Sequence, residues 1–250
     1  MKKVFFALSL LLASMVANAQ NEVASTQQDS NTTTPVTLTP KETYTNFRFS
    51  YSPTVWDLDG TDLDMRGLKI EYIKGEKFMD DMPVFLEYGL GLEWLNYEDK
   101  EKEEDNLYTL VETMNTIALN IPLNIGYKYT LQSGSKNISI MPYVGINATF
   151  NVSGTHKISF EDIDDEFYEF VEDIGEEEIF DEEKSNMFDE DEFGESTLKR
   201  LLLGWRIGAN VNINNIQLGV SYHASFGEEI FKDYEDTHQT ATTFTIGYFF

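Results

Sequence analysis

Residues 117–129 read Ile-Ala-Leu-Asn-Ile-Pro-Leu-Asn-Ile-Gly-Tyr-Lys-Tyr, with a large apolar or aromatic side chain at every odd position and a small or polar one at every even position. A period of two belongs to a strand with two unlike faces, because successive side chains point to opposite sides of a sheet. One face of this strand suits apolar surroundings. The other, with Asn120, Asn124 and Lys128 among small residues, admits polar groups.

The same alternation recurs along the chain from Tyr44 onward. Phe47, Phe49 and Tyr51 alternate with Asn46, Arg48 and Ser50, and Leu68, Ile70 and Tyr72 with Gly67, Lys69 and Glu71. Leu86, Tyr88, Leu90, Leu92 and Trp94 alternate with Glu87, Gly89, Gly91 and Glu93. Downstream, Ile140, Val144, Ile146 and Phe150 oppose Met141, Tyr143, Gly145 and Asn147. Leu203, Trp205 and Ile207 oppose Gly204, Arg206 and Gly208, and a hairpin at Asn214-Asn215 leads into Leu218, Val220 and Tyr222 opposite Gln217, Gly219 and Ser221. Phe244, Ile246, Tyr248 and Phe250 close the sequence opposite Thr243, Thr245 and Gly247. Eight such segments predict an all-β fold, an eight-stranded antiparallel β-barrel.

The faces separate a soluble barrel, lipocalin-like, from a transmembrane one. A soluble barrel turns its apolar face inward, which here would put Arg48, Lys69, Glu71, Glu87, Glu93, Lys128 and Arg206 outside. A lipid-facing wall requires the continuous apolar face, and a narrow interior accommodates these charges when they pair. The seven are therefore expected to form a lumen charge network, Arg48, Lys69, Lys128 and Arg206 with Glu71, Glu87 and Glu93, because unpaired charge there carries a large desolvation cost. Connection lengths alternate long (52–64), short (75–82), long (96–106), short (132–136), very long (153–198), a two-residue turn (214–215) and long (227–239). This is the asymmetry of outer-membrane barrels, with both termini periplasmic and long loops at the cell surface. Tyr51, Trp56, Trp94 and Tyr97 are expected to girdle the outer interface, and Tyr127, Tyr129, Tyr248 and Phe250 the inner one.

The N-terminus fits this destination. Lys2-Lys3, an apolar run Val4–Val16 and Ala17-Asn18-Ala19 have the order of a secretory signal peptide, so 1–19 is expected to be removed. Residues 20–42 are rich in Thr, Ser, Gln and Asn and read as a flexible periplasmic leader. Residues 43–250 then form the barrel, with an acidic surface insertion at 154–197. The chain has no cysteine, hence neither disulfides nor a lipid-modified Cys. A net charge of −26 excludes a nucleic-acid partner, which requires a basic footprint. Between Glu161 and Glu195 the only basic residue is Lys184, so the acidity is concentrated in the insertion.

The stretch 117–129, the short turn after it, Pro142-Tyr143-Val144-Gly145, the glycine-bearing hairpin and the aromatic terminal strand together resemble the PorT-like outer-membrane β-barrel domain family. The resemblance spans Tyr44 to Phe250 outside the loops and implies fold and location, the outer membrane of a Gram-negative bacterium. It also raises an accessory role in protein secretion. Phe244 to Phe250 resemble the terminal signal read by the barrel-assembly machinery, which would make that machinery a partner alongside outer-membrane lipid.

Candidate chemistry is sparse. Ser221 and His223 share the inward face, but no nucleophile, base and orienter assemble from the sequence, so no enzyme is expected. Asp57, Asp59, Asp62 and Asp64, and in the insertion Glu176, Glu177, Glu178, Asp189, Glu190, Asp191 and Glu192, are candidate weak ligands for calcium, without the spacing of a helix-loop-helix site. No cofactor is otherwise expected. Ile163, Phe167, Phe170, Val171 and Ile174 recur at helical spacing, with Ser159 and Asp162 as candidate caps and Gly175 as a stop. The functional expectation is a membrane scaffold displaying acidic loops to cations or cationic proteins. The alternative is a small porin-like channel or transporter, which a side-chain-filled interior disfavours.

Overall fold

The computed structural model describes residues 42–58, 61–79, 81–102, 107–133, 136–173, 180–189, 197–227, 230–232 and 237–250. The signal peptide, the leader apart from Glu42, and Asp59, Ile174, Gly175, Glu176, Glu177, Glu178, Glu190, Asp191 and Glu192 lie outside the described residues. The strands are β1 (Thr43–Leu58), β2 (Thr61–Lys77), β3 (Val84–Lys102), β4 (Thr109–Tyr127), β5 (Tyr129–Ser133), β6 (Lys136–Glu161), β7 (Glu183–Asn186), β8 (Leu201–Ile213), β9 (Ile216–Ser225) and β10 (Thr237–Phe249), with one helix, α1 (Asp165–Asp173), between β6 and β7.

All pairings are antiparallel, and eight strands form a closed ring in the order β1-β2-β3-β4-β6-β8-β9-β10, with β10 returning to β1 from Asn46↔Phe249 to Leu58↔Thr237. The two remaining strands are accessories. β7 pairs with β6 away from the ring path. β5 continues β4 on the same edge of β6 after a break in the ladder at Tyr127 and Lys128, where the register sets Tyr127 opposite Pro142, whose nitrogen cannot donate to a ladder. The Lys128 amide turns instead to the Pro83 carbonyl at 2.8 Å. At the β8–β9 hairpin, Asn214 adopts a left-handed φ of 54°, as a two-residue turn requires.

Three sequence expectations are corrected by the register. The segments read as long loops after β1 and β3 are largely strand: β1 and β2 pair to Leu58↔Thr61, and β3 and β4 to Lys102↔Thr109. The insertion does not begin at 154, because β6 runs on to Glu161 against β4, past an irregularity where Ile117↔Ser153 gives way to Ala118↔Asn151. The helix forms, but Ser159 is in β6 and Asp162 is not the cap. Asp164 accepts the amides of Glu166 and Phe167 at 3.0 and 3.1 Å, nearer the first turn than either residue proposed.

The strands change character along their length. Toward the end with the short turns, outward positions are apolar and exposed, among them Phe49, Ile70, Ile125, Val144, Leu218 and Ile246, while inward positions hold the charged and amide side chains. Toward the opposite end the interior becomes apolar: Trp56, Leu63, Met65, Leu95 and Met114 pack with Met187, Leu198, Leu202, Ile230 and Phe231. The covering segments are tied by backbone bonds from Met187 to Gly154, Leu198 to Met187 and Lys199 to Ile230. Trp56 is therefore no interfacial anchor; it is 1% exposed within this core, and Tyr97 packs on its edge. Tyr51 and Trp94 do face outward, as do Tyr127, Tyr129, Tyr248 and Phe250.

Candidate functional site

The inward positions of the polar section bring charges from separate strands together. Arg48 on β1 bonds to Glu87 on β3, and both are buried. Glu87 also accepts the Tyr44 hydroxyl at 2.8 Å and the Asn124 amide at 3.2 Å. Lys69 reaches Glu93 at 3.1 Å, and Glu93 accepts from Asn120 at 2.9 Å. Arg206 on β8 meets Glu71 on β2, the diametrically opposite strand of the ring, at 3.4 Å, and donates to the Tyr143 hydroxyl at 3.2 Å. Asn147 and Thr149 both donate to the Asn120 side-chain carbonyl, at 2.7 and 2.9 Å.

Small residues make room for these long ones. Gly247 is the cross-strand partner of Arg48, Gly91 that of Glu71, and Gly145 that of Arg206. A Cβ on Gly91 would stand 2.8 Å from Glu71 Cγ, and one on Gly145 2.3 Å from Asn124 Oδ1. The glycine-rich inward face visible in the sequence is thus the steric complement of the charged side chains that share it.

Lys128 departs from the expected set. Its Nζ bonds to Glu42 at 2.8 Å and lies 5.1 Å from the Phe85 ring centre, at the rim of the short-turn end. It takes none of Glu71, Glu87 or Glu93 as a partner, and Glu42, the last residue of the stretch read as the leader, lacks the strand context that would have drawn notice. Ser221 and His223 are both inward, opposite Gly208 and Arg206 on β8.

The candidate cation ligands are dispersed. Asp57 and Asp62 are cross-strand partners at the tip of β1–β2, and Asp64 points outward two positions further along β2. Asp189 follows the β7 turn, its amide bonded to the Asn186 carbonyl at 3.0 Å. Among the described residues no three side chains of His, Asp or Glu converge on a point that could hold a metal. Asp62 and Asp64 instead line an open cleft of about 540 Å³ with Arg66, Asn96, Tyr97, Glu98 and Asp99, which the sequence reading missed because it forms between strands. Beside it, Lys100 bonds to Glu161 at 2.7 Å, and that hydrogen bond raises the ammonium's pKa above its ordinary value.

No protein-family model and no curated protein matches the sequence, so the resemblance to the PorT-like family gains no support from them. Solved structures do match. Ail, the attachment invasion locus protein of Yersinia pestis, is 13% identical over 84% of this chain and 99% of its own, with a TM-score of 0.39. Neisserial surface protein A is 9% identical over 82% and 96%, with a TM-score of 0.38. The fold of this chain rests on its own pairings, an all-β ring closed by eight antiparallel strands. The outer membrane enzyme PagL is similar as well, 12% identical over 81% of this chain and 98% of its own, with a TM-score of 0.39. That finding corrects the expectation that the chain is no enzyme: the architecture also occurs in an enzyme, so the fold gives no ground for excluding catalysis. A likeness at this identity assigns no activity either.

Proposed function

We propose that the chain is an outer-membrane scaffold: a ring of eight strands held in lipid, presenting an acidic surface outside the cell to cationic partners. The observation that carries this reading is the inside-out section of the ring. Ile125, Val144 and Ile246 are each more than half exposed on its outside, while Arg48, Glu71 and Glu87 are 2% exposed or less within it. Water outside such a wall would be costly, and lipid would not. The outward apolar face of β4 runs from Ile117 to Tyr127. Ten steps of ~3.4 Å along a strand tilted by ~45° rise ~24 Å, against an apolar band ~25 Å tall in such barrels. Among the described residues no helix is long and apolar enough to cross a membrane, so spanning falls to the strands.

In this reading both termini are periplasmic, and the aromatic β10 edge is presented to the barrel-assembly machinery before it closes on β1. The connections after β1, β3, β6 and β9 lie outside the cell. The Arg206–Glu71 bridge across the ring favours a scaffold over an open channel. The acidic stretch 161–195 is proposed to bind calcium weakly, on the order of 10⁻⁴–10⁻³ M, as crowded carboxylates relieve their repulsion on a hard cation.

Two measurements test the proposal. A closed barrel in detergent keeps a compact form until boiled, so boiled and unboiled samples should migrate differently on a gel. Protease added to intact cells should cut within 161–195, more slowly with calcium present, and leave the strands of the ring whole. Cleavage only after permeabilisation would invert the topology, and identical migration with a helical circular-dichroism spectrum would remove the barrel.

A further inference from the structure

The ring does not stay closed along the whole of its strands. β2 and β3 pair from Lys77↔Phe85 as far as Arg66↔Asn96 and then part. Beyond that point β2 continues to Thr61 paired only with β1, and β3 continues to Lys102 paired only with β4, among the described residues. Two strand edges therefore border the 540 Å³ cleft, which Tyr51, Pro53, Thr54 and Val55 of β1 line as well, each edge with backbone N–H and C=O groups that no neighbouring strand takes among the described residues. Sheet edges left this way are templates for a further strand.

The side chains of the cleft specify what that strand would be. Asp62, Asp64 and Glu98 lie on the outer face of the two edges, with Arg66 the only cation lining the cleft among the described residues. Among the described residues neither Asp62 nor Asp64 has an ion-pair partner; Glu98 has Lys100 at 3.9 Å, a lysine already engaged at 2.7 Å by Glu161. On the inner face, Met65 and Tyr97 belong to the apolar core or pack on it, with Asp99 next along β3 on the same side. A strand laid between the edges would place alternate residues against carboxylates and the residues between them against Met65 and Tyr97.

We propose that this cleft receives an extended segment of another protein, about five residues long, in which lysine or arginine alternates with apolar residues. It would hydrogen-bond to both edges, antiparallel to one and parallel to the other, as mixed sheets permit. The proposal sharpens the scaffold reading by naming the surface and its occupant, and it rests on that reading only for the side of the membrane on which the partner is met.

The test uses the full chain, folded in lipid nanodiscs, and a fluorescent synthetic peptide of about six alternating lysine and valine residues. Binding is read by anisotropy and its location by backbone hydrogen exchange. The peptide should bind, and it should slow exchange within 61–65 and 97–102. Methylating alternate backbone nitrogens, which keeps charge and sequence, should weaken binding by about tenfold or more, as should Asp64→Asn combined with Glu98→Gln. Absence of binding, equal binding of the methylated peptide, or protection confined to 161–195 would each overturn the proposal. Binding in nanodiscs but not on intact cells would leave the cleft standing and overturn the external display.

Discussion

The two ends of the ring obey opposite rules on the same strands. On β2, Leu68 and Ile70 point outward and Lys69 and Glu71 inward; a few residues nearer the tip, Asp62 and Asp64 point outward and Leu63 and Met65 inward. The parity of the strand never changes, since odd positions are inside throughout; only the chemistry is exchanged. The medium outside explains it. Against lipid the outward residues must be apolar, and the interior is left to hold polar groups that pair with one another. Against water the outward residues are charged, and the interior fills with Trp56, Met114, Met187 and Phe231 like that of a soluble protein. The crossover, where Tyr51 and Trp94 face outward, is where aromatic side chains are stable at an interface.

If the polar section depends on charge pairing, breaking one pair there should have the largest effect. Glu87→Leu leaves Arg48 buried without its carboxylate and removes the acceptor of Tyr44 and Asn124. Unfolding by urea in lipid vesicles should show a loss of about 3–5 kcal/mol. The double change Arg48→Leu with Glu87→Leu should be milder, because no lone charge remains. A single variant as stable as the parent would show that water reaches this part of the interior.

The apolar section should respond differently. Met187→Ala opens a cavity beneath the segments that close the ring and should cost about 2–5 kcal/mol of local stability. The expected signature is faster proteolysis near 187–200 with the boiled-versus-unboiled gel shift retained. Loss of that shift would mean that the two sections fold as one unit. The smallest effect belongs to the helix beyond both sections. Asp164→Ala removes the acceptor for two first-turn amides and should destabilise α1 by about 1 kcal/mol, read as faster exchange of the Glu166 and Phe167 amides alone. Unchanged exchange would mean that the aromatic stack of Phe167 on Tyr108 holds the helix without its cap.

Along the ring, the sequence by itself determined which residues share a face. Period-two alternation is a local property, and Arg48, Lys69, Glu71, Glu87, Glu93 and Arg206 could be assigned to one side from their neighbours alone. Their partners were less legible, because pairing depends on register around the ring. Lys69 with Glu93 is a cross-strand pair of adjacent strands, whereas Arg206 with Glu71 requires the closure of a circle. Lys128 was assigned to the right face but not to Glu42, which precedes the first alternating residue.

Where the strands stop was decided only in three dimensions. The tips of β2 and β3 are rich in Asp, Glu and Lys, and such residues read as loops because their outward faces are no longer apolar. Pairing with a neighbour keeps them extended regardless of that composition. The apolar core at the same end was hidden for a related reason: Trp56, Met114, Met187 and Phe231 are far apart in the chain and follow no shared period. The cleft between β2 and β3 was hidden too, since a ladder that ends at Arg66↔Asn96 leaves no mark in either strand. The alternation of a strand records the environments on its two sides, but not which strand stands beside it or for how long, and those depend on hydrogen bonds between segments distant in sequence.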